Sequence, residues 1–149
     1  MHTRVANLGT SYSVSLWFWN GMPIDSRPVL GWMFGRGQNY SAQATGDGLG
    51  LNAKGQLIFS NGKETLTGKA NAERWKWHHA LLVRDKEKVQ VYLDGKLEIS
   101  GQSNAVSSVE TLFLGGRNNK ESSWEGRLDE AAVFGRALSE KEIKALFLP

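Results

Sequence analysis

The sequence predicts an all-β fold: a two-sheet antiparallel jelly-roll sandwich with one short C-terminal helix. Three observations carry this. Short runs of alternating apolar and polar residues recur at strand spacing along the chain. Glycine is frequent, 17 of 149 residues against 3 prolines, and is accompanied by 6 Trp, 6 Phe and 3 Tyr, which suits short strands joined by tight turns. Only one stretch, near the C-terminus, has helical periodicity. A closed barrel would use the same strands, and periodicity does not separate the two.

The first clear strand is Ser13-Val14-Ser15-Leu16-Trp17-Phe18-Trp19. Val14, Leu16 and Phe18 share one face, and Trp17 and Trp19 share the other. Pro28 confines the next strand to the residues after it, Val29 to Phe34. Its glycines (Gly31, Gly35, Gly37) suggest bulges or close backbone approach. Leu49-Gly50-Leu51 and Gln56-Leu57-Ile58-Phe59 flank a four-residue turn, and Asn61-Gly62 follows as a second hairpin signal. Trp77 to Arg84 is a strongly apolar strand. Val89 to Leu93 alternates and turns at Asp94-Gly95 into Lys96 to Ile99, a pair suited to the positive φ angles of a type I′ turn. Thr111 to Leu114 and Leu128 to Phe134 complete the strands. Ser139-Glu140-Lys141-Glu142 fits a capping box, followed by Ile143, Leu146 and Phe147 at helical spacing. A helix of about two turns must be held by packing against the sheet.

Composition narrows the function. Hydrophobic residues make up 40% and charged residues 22%, so a packed core is expected rather than disorder. One domain spanning 1–149 fits the length. There is no cysteine, which excludes disulfides, thiolate metal sites and a cysteine nucleophile. The net charge of +3 is spread without a basic block, which argues against nucleic acid as a partner. No apolar run approaches the length of a membrane span, so membrane insertion is not expected. The opening Met1-His2-Thr3-Arg4 is not followed by the apolar stretch of a signal peptide. The expectation is therefore either a cytoplasmic chain or a module cut from a longer secreted protein.

Four stretches resemble the laminin G-like, concanavalin A-like lectin/glucanase family of jelly-roll domains, in its bacterial form. They are Tyr12 to Phe18; Trp77-His78-His79-Ala80 with Val91-Tyr92-Leu93-Asp94-Gly95-Lys96; Leu114-Gly115-Gly116 with Trp124-Glu125-Gly126-Arg127-Leu128-Asp129-Glu130-Ala131; and Arg136 to Ile143. They run in family order over about residues 5 to 148. The family's usual first strand is missing or reduced here. Ala132 and Phe134 also stand where the family often has a charged residue and a Tyr. The resemblance implies a two-sheet jelly roll with a curved concave face. An extracellular, periplasmic or cell-surface location, as part of a larger secreted protein, is expected. The resemblance does not imply one function, because this fold hosts lectins, glycosidases, adhesion domains and spacers.

Catalysis finds little support in the residues. Glycoside hydrolysis needs two carboxyl groups facing one cleft. The related glucanases carry alternating acids on one strand, and this chain has no such run. Asp129 and Glu130 are adjacent, so strand alternation sends them to opposite faces. His78 and His79 likewise diverge, and His79 is expected to pack in line with Trp77 and Leu81, its ring bonded to the backbone.

Glycan binding needs exposed aromatic rings beside polar side chains. Two stretches read as loops of that content. One is Arg36 to Tyr40, with Arg36, Asn39 and Tyr40 as candidate contacts. The other is 117–123, with Arg117, Asn118 and Asn119, next to Trp124. Trp124 is expected to be core; Trp19, Trp32 and Trp75 are expected to be core, with the concave face as their alternative. The reading is a non-catalytic module whose partner is a glycan or a surface protein; the rival is a spacer or protein-docking domain. No cofactor is required. The resemblance implies a structural calcium with Asp129 as ligand; the competing role for Asp129 is an ion pair with Arg127 on the same strand face.

Overall fold

The structure, a computed structural model, describes residues 1–6, 8–23, 27–37, 46–104, 111–116 and 122–147. These residues form two antiparallel sheets face to face. In chain order the strands are β1 (His2–Arg4), β2 (Ser11–Asn20), β3 (Gly31–Gly37), β4 (Gly48–Leu51), β5 (Gln56–Ser60) and β6 (Thr65–Asn71). They continue as β7 (Trp77–Asp85), β8 (Lys88–Leu93), β9 (Lys96–Gln102), β10 (Thr111–Leu114) and β11 (Gly126–Phe134), and helix α1 (Glu140–Ala145) follows. One sheet has the order β1-β10-β3-β4-β5-β6 and the other β11-β2-β7-β8-β9. The reduced first strand is β1, three exposed residues paired with β10 at one sheet edge. The hairpin signal at Asn61-Gly62 leads from β5 into β6, a strand not named from the sequence.

Alternation sorts the residues of β2 as expected. Tyr12, Val14, Leu16 and Phe18 point into the sandwich, where they meet Ala80, Leu82, Val89 and Val91 of their own sheet. Phe34, Leu49, Leu51, Leu57, Phe59 and Leu112 close the core from the other sheet. Each fully buried side chain of this size contributes about 1.5–3 kcal/mol. One polar cluster lies inside this core. The Arg84 Nε is 3.2 Å from Asp47 Oδ2, and the Tyr12 hydroxyl donates to the same oxygen at 2.5 Å. Arg84 also donates to the carbonyls of Ser103 and Asn104, at 2.9 and 2.6 Å. Burial first, then the neighbouring Asp47 charge, push the Tyr12 phenol well above its ordinary pKa. It stays a neutral donor, which this arrangement requires.

Two turns and the helix bear out local chemistry. Asp94 (φ 48) and Gly95 (φ 81) close the β8–β9 hairpin with two positive φ angles, as a type I′ turn demands. Ser139 caps α1, with Glu142 Nα–H donating to its hydroxyl and the Glu142 carboxylate accepting from the Ser139 amide. On the open side between β6 and β9, the Glu98 carboxylate accepts from the Lys69 and Ala70 amides, at 2.8 and 2.9 Å. These amides lie where β6 departs from regular register with β5. Among the described residues no helix is long and apolar enough to cross a membrane.

Candidate functional site

The outer face of the β11-β2-β7 part of the five-stranded sheet divides into two halves. Register brings three strands into rows: Phe134, Ser13 and Val83; then Ala132, Ser15 and Leu81; then Asp129, Trp17 and His79; then Arg127, Trp19 and Trp77. The first two rows are covered by the chain's end. Leu81 and Val83 pack with Leu138 and Ile143, flanked by Tyr92, Phe134 and Phe147. The Ser13 hydroxyl pins this cover, donating to the Arg136 carbonyl and accepting from the Leu138 amide, both at 3.0 Å. Among the described residues the last two rows have no such cover, and they carry the exposed tryptophans: Trp17 is 37% exposed and Trp77 43%.

His79 sits on the boundary. Its ring is edge-on to Phe147 on the covered side (4.7 Å) and to Trp17 on the open side (5.2 Å). Its Nε2 is 2.7 Å from the Ser15 hydroxyl, so the side chain, rather than a backbone carbonyl, is its ring partner. Burial lowers the His79 pKa, against the opposing pull of Asp94, and favours the neutral imidazole. His78 points to the other face, beside Phe18, and bonds Asp94 and the Glu73 carbonyl.

Trp17 and Trp77 are diagonal neighbours on adjacent strands, and between them and β11 lies an open cleft of about 370 Å³. Among the described residues its remaining walls are Asp129 and Glu130. Both acids reaching one cleft corrects the expectation from strand alternation. The cause is a bulge: pairing passes from Asp129–Trp17 to Ala132–Ser15, so β11 holds one residue more than β2. Glu130 takes up the extra length at φ 48, and its amide donates to Asp129 Oδ1 at 2.8 Å. Alternation fails where a bulge intervenes, and nothing in the local sequence marks it.

The neighbouring indoles extend the platform. Trp75, expected in the core, is 58% exposed, at φ 66, with its ring 5.2 Å from Trp19. The Arg74 guanidinium lies 4.5 Å over Trp75, and that of Arg127 5.4 Å over Trp19. Arg127 therefore stacks on an aromatic ring, and no Arg127–Asp129 ion pair occurs among the described residues. Trp32 is buried, and Trp124 packs on the core edge-on to Phe18, both as expected.

The other candidate residues fall differently. Arg36 is not in a solvated loop: it is in β3, 3% exposed, and its guanidinium donates to the carbonyls of Leu8 and Gly9 while lying over the Tyr12 ring. Asn39, Tyr40, Arg117, Asn118 and Asn119 lie outside the described residues. Asp129 is exposed, and no group of three or more His, Cys, Asp or Glu side chains able to hold a metal occurs among the described residues. Asp129 and Glu130 are the acidic side chains of this cleft, so most of the six to eight oxygens calcium takes would have to come from backbone carbonyls and water.

The chain matches the sequence model described as the concanavalin A-like lectin/glucanases superfamily, of the Laminin_G_3 type, over residues 2–144. Among proteins of curated function, none matches it in sequence. Solved structures share its fold at low identity. The carbohydrate-binding module CBM40 of the Ruminococcus gnavus IT-sialidase superposes with a TM-score of 0.73 at 14% identity, covering 95% of this chain and 85% of that one. Domain 4 of AbnA, a GH43 extracellular arabinanase from Geobacillus stearothermophilus, was solved in complex with arabinotriose. It superposes with a TM-score of 0.66 at 20% identity, covering 94% and 68%. A heptameric pentraxin from Limulus polyphemus superposes with a TM-score of 0.68 at 16% identity, covering 94% and 70%. With the profile matched over nearly its whole length, and a two-sheet jelly roll to go with it, this chain belongs to the concanavalin A-like lectin/glucanase superfamily.

Proposed function

We propose that this domain is a non-catalytic carbohydrate-binding module of a secreted protein, and that it binds through the open tryptophan half of its outer sheet face. The observation that carries the reading is the Trp17–Trp77 cleft with Asp129 and Glu130 on its wall. Indole faces accept the C–H faces of sugar rings, and carboxylates accept hydrogen bonds from hydroxyls. The sialidase module and the arabinanase domain, extracellular or sugar-bound by their descriptions, support a glycan as ligand. The two acids do not count against the non-catalytic reading. Both are exposed, whereas a proton-donating carboxyl is usually sheltered against apolar surface.

The test is a titration of the domain with a panel of oligosaccharides, followed by calorimetry and by tryptophan fluorescence. Covering one indole with a sugar removes on the order of 60–80 Å² from water, about 1.5–2 kcal/mol. Trp17→Ala and Trp77→Ala should therefore each weaken binding by about tenfold or more. On residue chemistry Asn39, Tyr40, Arg117, Asn118 and Asn119 would add polar contacts, and their alanine variants form a second arm of the titration. Absence of any glycan binding, with both tryptophan variants unaltered, would favour the spacer or protein-docking reading.

A further inference from the structure

We infer that the Trp17–Trp77 cleft selects a positively charged sugar: a glycan with free amino groups, such as a run of de-N-acetylated glucosamine units. The inference rests on the carbohydrate-binding reading and narrows its ligand class. Four tryptophans form the open face. Two of them already carry a cation on the ring, Arg74 over Trp75 and Arg127 over Trp19. The rings of this face thus take cations wherever the chain supplies one, as expected from the negative potential over an indole.

Trp17 and Trp77 have no guanidinium or ammonium on their rings among the described residues. In place of one, the chain sets two carboxylates beside them. The cations adjoining these residues in sequence are engaged elsewhere: Arg127 on Trp19, and Lys76 in an ion pair with Glu73. One Asp129 oxygen is occupied by the Glu130 amide. The Glu130 carboxylate has no hydrogen-bond or ion-pair partner among the described residues. An ionised carboxylate only accepts, so apart from the indole N–H groups the side chains of the described wall offer acceptors alone.

A neutral hexose presents hydroxyls that both donate and accept, and it would leave half of that capacity unmatched here. A protonated amine offers three donors, a charge opposite to the wall and an apolar C–H face beside it for the indole. The cleft, about 370 Å³, has room for a sugar ring rather than a bare ammonium. The bulge that turns Glu130 towards Asp129 is what makes the wall doubly acidic, on a chain whose net charge is +3.

The experiment compares three hexasaccharides by calorimetry at pH 5.5, where sugar amines are charged: fully de-N-acetylated chitohexaose, its N-acetylated parent and cellohexaose. Hexalysine serves as a charge control. The de-N-acetylated sugar should bind at least tenfold tighter than the other two. Glu130→Gln and Asp129→Asn should each remove most of that preference, and raising salt should reduce it. Both variants should melt cooperatively, which separates loss of charge from loss of fold. Equal or tighter binding of a neutral hexasaccharide would overturn the inference and leave the glycan reading standing. Hexalysine binding as tightly as the amino sugar would overturn it as well, since charge alone would then be recognised. No binding by any sugar, with unchanged tryptophan fluorescence, would overturn both.

Discussion

Replacing Asp94 with Ala should cost about 3 kcal/mol, and the cost should depend on pH in a defined way. Asp94 does three things at once. Its Oδ1 accepts from the His79 amide at 2.8 Å, its Oδ2 meets His78 Nδ1 at 2.8 Å, and its backbone holds φ 48 in the hairpin turn. Losing a charged acceptor from a part-buried amide costs about 2 kcal/mol. The His78 pair adds about 0.5 kcal/mol, since Asp94 is 47% exposed and solvent screens it. Ala tolerates the left-handed region less well than Asp, for about another 0.5 kcal/mol. In a chain of this size the sum lowers Tm by roughly 6–12 °C. The hydrogen bond to Asp94 raises the His78 pKa against the opposing effect of burial. Burial pushes Asp94 up, but the bonds from His78 and the His79 amide, with the His78 charge, hold it below its ordinary value. The stabilisation from His78 is complete below its unfolded pKa of 6.5 and is lost as pH rises through the raised folded value. That from Asp94 is present above 3.8 and is lost as pH falls through the lowered folded value. Urea unfolding of wild type and Asp94→Ala between pH 3 and 9 should therefore show a stability gap that is widest between about 4 and 6.5. Asp94→Asn, which keeps an acceptor and suits the turn, should lose less. A gap independent of pH would refute the ion-pair reasoning, and no gap would refute the turn assignment.

Three further outcomes follow from the same geometry. Gly95→Val should destabilise by about 1–2 kcal/mol in thermal melts, because φ is 81 and a Cβ there would lie 3.0 Å from Phe147 Cγ. Glu142, held to a pKa of about 2 first by Arg136 and then by Ser139, should support helix docking above its ordinary 4.5 and release it as pH falls towards 2. Tryptophan fluorescence should report that release through Phe147, His79 and Trp17, and Glu142→Gln should abolish the transition. Millimolar calcium added to chelator-treated protein should shift Tm equally in wild type and Asp129→Ala; a shift confined to wild type would make Asp129 a metal ligand.

Much of the fold was legible because its signals are local. Alternation placed Val14, Leu16 and Phe18 inward, Asp94-Gly95 marked its turn, and Ser139 with Glu142 marked the helix start. The site was less legible because it depends on which strands pair. Trp17 and Trp19 were visible as a shared face, but only the β2–β7 register sets Trp77 beside Trp17. The bulge at Glu130 comes from long-range pairing and leaves no local mark. Arg36 looked like a loop residue because glycines flank it; the strand runs through them, and the carbonyls of Leu8 and Gly9, distant in sequence, bury its charge. Trp75 looked like core because tryptophans usually are, yet its positive φ turns it out towards solvent beside Arg74.

The Glu98 carboxylate bears on how such a domain behaves in company. Irregular amides beside a sheet's outer strand invite another chain to lay a strand alongside, the usual route from folded sandwich to aggregate. Here the Lys69 and Ala70 amides are already taken by a side chain from the opposite sheet. Leu66 packs over Gly101 next to them, so any Cβ on that glycine would meet it at 3.0 Å. This flank of the sandwich is latched shut. Glu98→Ala would leave the fold's interior intact and unlatch it, and the variant would be expected to self-associate on concentration while the parent stays dispersed.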